Sequence, residues 1–357
     1  MLGSLRLFLA LSVVIAHLTE EVRFFAHWGV FAVFGFYLIS GYLITTILHE
    51  TYSFRFSTFA INRFLRLFPI YYILAIASAL IINFTNGAST FHPAWSIQTR
   101  WRDVFGNIFI IPFEFYDSSF RLVPPTWSVA VELVNYFLLW LIVARNRALA
   151  VLVFLVAATY HIATFMGGSN WGQRYYPFYA ALLPFSMGAL IYFFRDTAND
   201  FISRSRAPIA AIACAAWLLN LTLCGLMGGP GSEFFNLFFY TNLGFFAIFL
   251  YAAVSYPGRI LRIKWDKKLG DLAYPVFLTH WIIGYVISLY FLDGQRRGVT
   301  LFIASLIPII VISYALSRIA DRLIEPLRSR VRSGAKAGNR DPGAGLNEAE
   351  RPGLQQQ

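Results

Sequence analysis

Apolar residues gather along this chain in blocks of about twenty, separated by short polar stretches. The blocks fall at roughly 2–19, 30–48, 67–85, 126–144, 148–166, 176–194, 207–227, 235–254, 272–292 and 299–319. A helix rises about 1.5 Å per residue, so each block covers the roughly 30 Å hydrocarbon core of a bilayer. The pattern predicts an all-α, polytopic integral membrane protein of about ten transmembrane helices, with a membrane domain over residues 1–330. Pro184, Pro275 and Pro308 interrupt spans and Pro69 opens one, which predicts kinks able to line a cavity. The longest connection, about 86–125, carries Trp95, Trp101, Pro112, Pro124 and Pro125, and an ordered loop of that length is usually functional. From Ser333 to Gln357 little remains to bury, so residues 331–357 are expected to form a disordered cytoplasmic tail.

Composition agrees with lipid as the solvent: 58% of residues are hydrophobic, 13% are charged, and mean hydropathy is +0.59. The net charge of +11 would suit nucleic acid only on a solvated basic face. Here the cations sit in segments between spans. With a cytoplasmic N-terminus, 22 of the 29 Lys and Arg residues fall on the inner side, the bias that orients membrane proteins, and both termini are then cytoplasmic. Cys214 and Cys224 share one apolar run, and no Cys/His spacing suits zinc, so they are expected in the core and no metal site is expected. Arg6 ahead of an apolar run resembles a signal peptide, but His17 near its end and the lack of a small-x-small cleavage site favour a retained first helix.

Ionisable groups within spans cost several kcal/mol unless partnered or wet. Arg6 and His17 lie eleven positions apart, about 16 Å and almost three turns, and share one face of the first helix. Arg6 fits a cation snorkelling to headgroups and His17 a helix-end residue. Glu132 follows the helix starter Pro124-Pro125-Thr126 and shares a face with Ser128 and Asn135. It needs a cation, an imidazole or water, and a structural pair with an arginine would suffice. His161 and His280 each fit a histidine that hydrogen-bonds between helices. Arg63 and Arg66, three apart just before the third span, would put two guanidinium forks together as a phosphate grip, or simply supply inner-side charge.

These pieces occur together in one arrangement, and the chain resembles the membrane-bound acyltransferase family 3, whose bacterial members O-acylate cell-surface and exported polysaccharides. The carriers are Leu5-Arg6 through His17, Phe36 to Ile44, Arg63-Phe64-Leu65-Arg66-Leu67-Phe68-Pro69, Trp127-Ser128 to Glu132, Phe277-Leu278-Thr279-His280 and Glu325-Pro326. Tyr42 stands where many relatives have Phe. The resemblance implies that His17 is catalytic and that Arg6, Arg63 and Arg66 bind a cytoplasmic acyl-CoA donor, acetyl-CoA by default, with no tightly bound cofactor. Glu132 is expected as a second catalytic residue that fixes the histidine tautomer. The resemblance also implies a bacterial cytoplasmic (inner) membrane location and a saccharide or lipid-linked saccharide acceptor, an exopolysaccharide among the options. Some members carry a further esterase-like domain; the tail here is too short for one, which implies action alone or with a separate partner. A base at His17 leaves direct transfer and an acyl-histidine step both open. Two other classes fit ten kinked spans: a transporter of lipid-linked sugars, and a scaffold whose buried charges only fix packing.

Overall fold

With no water in the hydrocarbon core, each apolar block has to satisfy its backbone polar groups within its own segment, and each does so as a helix. The computed structural model describes residues 1–19, 22–96, 100–197, 200–255, 263–295 and 297–337. The principal helices are α1 (Leu2–Leu18), α2 (Ala26–Ile47), α3 (Phe56–Phe84), α4 (Trp101–Phe109), α5 (Thr126–Leu138), α6 (Arg147–Met166), α7 (Phe178–Phe194), α8 (Asp200–Leu226), α9 (Phe235–Ser255), α10 (Ile263–Phe291), α11 (Val299–Leu323) and α12 (Glu325–Ala337). Among the described residues no strand occurs, and nine helical segments are long and apolar enough to cross a membrane. These nine match nine of the ten expected blocks. The remaining block is α1, apolar but only 17 residues long, at the short end of the spanning range.

Two boundaries differ from expectation. The helix α3 starts at Phe56, so Arg63 and Arg66 are residues of the helix itself. Its early turns hold because Phe59 and Asn62 are buried against α12 and the turn Leu48–Tyr52, with Asn62 Nδ2 donating to the Arg328 carbonyl at 3.2 Å. At the other end, α12 carries helix through Ala337, seven residues into the expected tail. Its Glu325 binds Arg328 at 2.6 Å and also Arg332, pairs that only a helix brings together. Residues 338–357 lie outside the described residues.

In lipid, helices associate through close packing rather than hydrophobic burial, so small residues mark the seams. The α1 helix lies between α2 and α10, and α2 packs also on α7. A Cβ at Gly3 would lie 1.7 Å from the Asp266 carbonyl oxygen, which puts α1 and α10 in backbone contact. The side chain of Asp266 then accepts hydrogen bonds from the backbone N–H of Gly3 at 3.0 Å and of Ser4 at 2.9 Å. A carboxylate on the exposed donors of a helix start satisfies them and complements the helix dipole. This contact fixes how α1 is turned, and with it the directions of Arg6 and His17.

The long connection is ordered around Asn107, whose amide donates to the Asp103 and Phe120 carbonyls and whose Oδ1 accepts from Leu122 N–H at 2.8 Å. Glu114 ties this loop to the bundle by accepting the Phe178 N–H at the start of α7, at 2.7 Å. Burial pushes the Glu114 carboxyl up to about 7, against the opposing effect of that hydrogen bond. A group raised in the folded state contributes stability that is complete below its ordinary value near 4.5 and is lost as pH rises through about 7. Discounted for partial exposure, the effect is about 1 kcal/mol, or about 1–2 °C for a chain of this size at an unfolding entropy of about 2.1 cal/mol/K per residue. The thermal midpoint in detergent should fall by that amount between pH 5 and 8, and Glu114→Gln should flatten the profile; an equal slope in the variant would remove Glu114 as its source.

Candidate active site

A cavity of about 250 Å³ opens between α1, α2, α3, α5 and α10. Arg6, Arg63 and Arg66 project into it together with one carboxylate, Glu132. The side chains flanking the Pro275 kink, Ala273, Tyr274 and Phe277, supply one wall. Gly270 lets α10 approach α1 at the foot of this chamber, since a Cβ there would lie 2.9 Å from Gly3 Cα. Arg63 donates from Nη2 to Asn62 Oδ1 at 3.2 Å, and its buried Nε has no partner. Among the described residues no carboxylate forms an ion pair with Arg6, Arg63 or Arg66. Arg66 also borders a smaller adjoining cavity that holds Asp271, Asp321 and Arg328.

Glu132 is held within the cavity by neutral donors. Ser40 Oγ gives a hydrogen bond to its Oε1 at 2.6 Å, and the Tyr136 hydroxyl bonds the same oxygen. This corrects the expectation that Glu132 orients His17. Its partners come from α2 and its own helix, and it lines the arginine cavity rather than touching the imidazole.

A second cavity, of about 170 Å³, lies beyond the first and contains His17. Trp127, Tyr175 and Tyr176 give it an aromatic rim, with the Trp127 ring 5.3 Å from Tyr175 and 5.0 Å from Tyr176. Val33, Ser128 and Phe277 border both cavities and form the wall between them. His17 Nδ1 lies 2.9 Å from Nε2 of His280, which is fully buried, and the two rings stack at 5.1 Å. Trp281 lies 5.1 Å from the His17 ring and is covered in turn by Phe91, His92 and the Arg297 guanidinium. The long connection thus closes over the histidine pair.

The five residues expected to carry catalysis and donor binding therefore divide into two groups: Arg6, Arg63, Arg66 and Glu132 meet in one chamber, and His17 stands in the next. His161 has the hydrogen-bonding role expected of it, to the Ala180 carbonyl and the Tyr240 hydroxyl, both at 2.9 Å. Sequence reasoning missed the Ser40–Tyr136 clasp and the aromatic rim, and gave His280 no partner. The motif residues Ser40 and Trp127 were the available signal.

The family model described as an acyltransferase domain, that of acyltransferase family 3, matches residues 2–318. The chain belongs to this family. Within the acyltransferase family it is similar to the O-acetyltransferase OatA of Staphylococcus aureus (strain NCTC 8325 / PS 47), with 25% identity over 360 residues, covering 92% of this chain and 57% of that protein. It is also similar to the peptidoglycan O-acetyltransferase OatA of Listeria monocytogenes serovar 1/2a (strain ATCC BAA-679 / EGD-e), with 23% identity over 321 residues, 79% of this chain and 49% of that protein. The chain spans about half the length of the curated relatives it matches. No solved structure matches it.

Proposed function

We propose that this acyltransferase moves an acyl group, acetyl by analogy with the OatA relatives, from acyl-CoA to a hydroxyl of a saccharide or lipid-linked saccharide on the far side of a bacterial cytoplasmic membrane. The observation that carries this reading is the chamber in which three guanidinium groups converge without an ion-pair partner, next to a histidine chamber behind a three-residue wall. Guanidinium forks match phosphate oxygens, and CoA brings phosphates at one end and a thioester on a long arm at the other. The phosphates would sit against Arg63, Arg66 and Arg6 on the cytoplasmic side, and the arm would present the thioester near the wall. Both termini are then cytoplasmic, in line with the distribution of basic residues.

The acceptor hydroxyl would enter the aromatic-rimmed chamber, where Trp127 and Tyr176 offer faces to a sugar ring. His17 takes the hydroxyl proton, the oxygen bonds to the thioester carbon, the carbon–sulfur bond breaks, and the leaving sulfur receives a proton. Glu132, clasped by Ser40 and Tyr136, is the carboxyl group that lines the same chamber as the three arginines and is a positioning group for the donor end. A transporter of lipid-linked sugars would need no acyl chemistry, whereas the family match over residues 2–318 is to an acyltransferase domain.

The donor grip is tested by Arg63→Ala combined with Arg66→Ala. Each lost charge-assisted hydrogen bond is worth about 2 kcal/mol, so KM for acetyl-CoA should rise at least about thirtyfold while kcat falls far less. An unchanged KM in purified protein would remove the arginines from the donor site.

A further inference from the structure

The hydrogen bonds around the histidine pair fix where every imidazole proton sits. His280 Nδ1 lies 2.7 Å from the Phe277 carbonyl oxygen. A carbonyl only accepts, so His280 Nδ1 carries a hydrogen. Among the described residues no carboxylate hydrogen-bonds either ring, and the Arg297 guanidinium lies on the neighbouring Trp281; a cation on either imidazole would have no counterion and a like charge nearby, so both rings rest neutral. His280 Nε2 is then a bare acceptor, and the 2.9 Å contact from His17 Nδ1 requires a hydrogen on that nitrogen. It follows that Nε2 of His17 is the unprotonated atom. That atom faces α2 at a glycine: a Cβ at Gly29 would lie 4.0 Å from it, and both residues border the outer chamber.

We propose that His280 is a positioning residue for the transfer reaction: it holds His17 in the tautomer whose basic Nε2 faces the acceptor chamber, and it gives the proton that Nε2 collects no other exit. The inference rests on the acyltransferase reading above. When Nε2 takes the acceptor proton, the hydrogen bond from Nδ1 to His280 becomes charge-assisted and stronger. A proton passed to His280 would have nowhere further to go, because its other nitrogen is committed to the Phe277 carbonyl. The proton therefore leaves from the same Nε2, onto the departing sulfur, and one nitrogen serves as base and then as acid.

His280→Met fills a similar space without an acceptor for His17 Nδ1, whereas His280→Gln can place Oε1 where Nε2 stands. In purified protein kcat should fall by roughly 10- to 100-fold in the methionine variant with KM for acetyl-CoA nearly unchanged, and the glutamine variant should recover most of the loss. A merely structural histidine would not be rescued in kcat at equal thermal stability. Nitrogen-15 imidazole spectra of wild type and both variants give a second readout that needs no substrate. The hydrogen on His17 should be at Nδ1 in wild type and His280→Gln, and shift at least in part to Nε2 in His280→Met. Wild-type spectra with the hydrogen at Nε2 would overturn the proposal even if His280→Met fails to accumulate, as would a methionine variant with full kcat. A wild-type protein that shows the Nδ1 tautomer but transfers nothing from acyl-CoA would instead overturn the donor reading.

Discussion

His17→Ala should leave the protein in the membrane at normal levels and lower acetyl transfer on the order of 10³-fold, the scale of a lost general base. The side chain is only partly buried, in a chamber, and its hydrogen bond among the described residues is to His280. Removing it leaves His280 Nε2 without a donor but creates no unpaired charge, so the folded state should tolerate the change. The measurement is CoA release and ester formation by purified protein, with thermal stability as the control. Wild-type turnover in the alanine variant would place the chemistry elsewhere. Loss of both activity and folded protein would support the scaffold alternative, in which the buried polar groups serve packing alone.

The second large effect concerns the seam between α2 and α7. A Cβ on Gly41 would lie 2.2 Å from the Phe185 carbonyl oxygen, and one on Gly188 would lie 2.2 Å from that of Leu38. Both obstacles are backbone, so no rotamer change relieves them and the helices must move apart. Overpacking of this kind costs about 1–3 kcal/mol, and here it would act at a contact made by dispersion alone. Gly41→Ala should therefore lower the thermal midpoint in detergent by several degrees and reduce the amount of folded protein. Gly244→Ala is the control, because a Cβ there meets nothing within 4 Å. The same midpoint for both variants would mean that the seam opens without cost. Because Ser40 on α2 clasps Glu132, a parted seam should also disturb the donor chamber.

The sequence made the helices legible because lipid leaves the backbone one solution, and about twenty apolar residues mark each. It did not reveal where α3 begins, since residues 56–66 mix polar and apolar side chains and are held helical by contacts with α12, hundreds of residues away in the chain. Arg6 was legible because a cation in a span calls for a reason, and Arg63 and Arg66 because their spacing of three just before the third span would set two guanidinium forks together. His17 stood out for the same reason, but its partner did not. His280 is 263 positions away, and no helical period in either segment tells which faces meet. Glu132 was rightly noticed as a costly group, yet its neutral clasp depends on Ser40 from another helix, and serines in apolar runs give no such signal by themselves.

The wall of Val33, Ser128 and Phe277 has an energetic consequence. Under the proposed reaction, a neutral thioester and alcohol become a neutral thiol and ester, so an acyl group passes outward and a hydrogen passes inward in exchange. The swap carries no net charge through the bilayer. The membrane potential, which would contribute about 2.3 kcal/mol for each charge moved through 100 mV, neither drives nor opposes it, and the thioester alone has to supply the driving force.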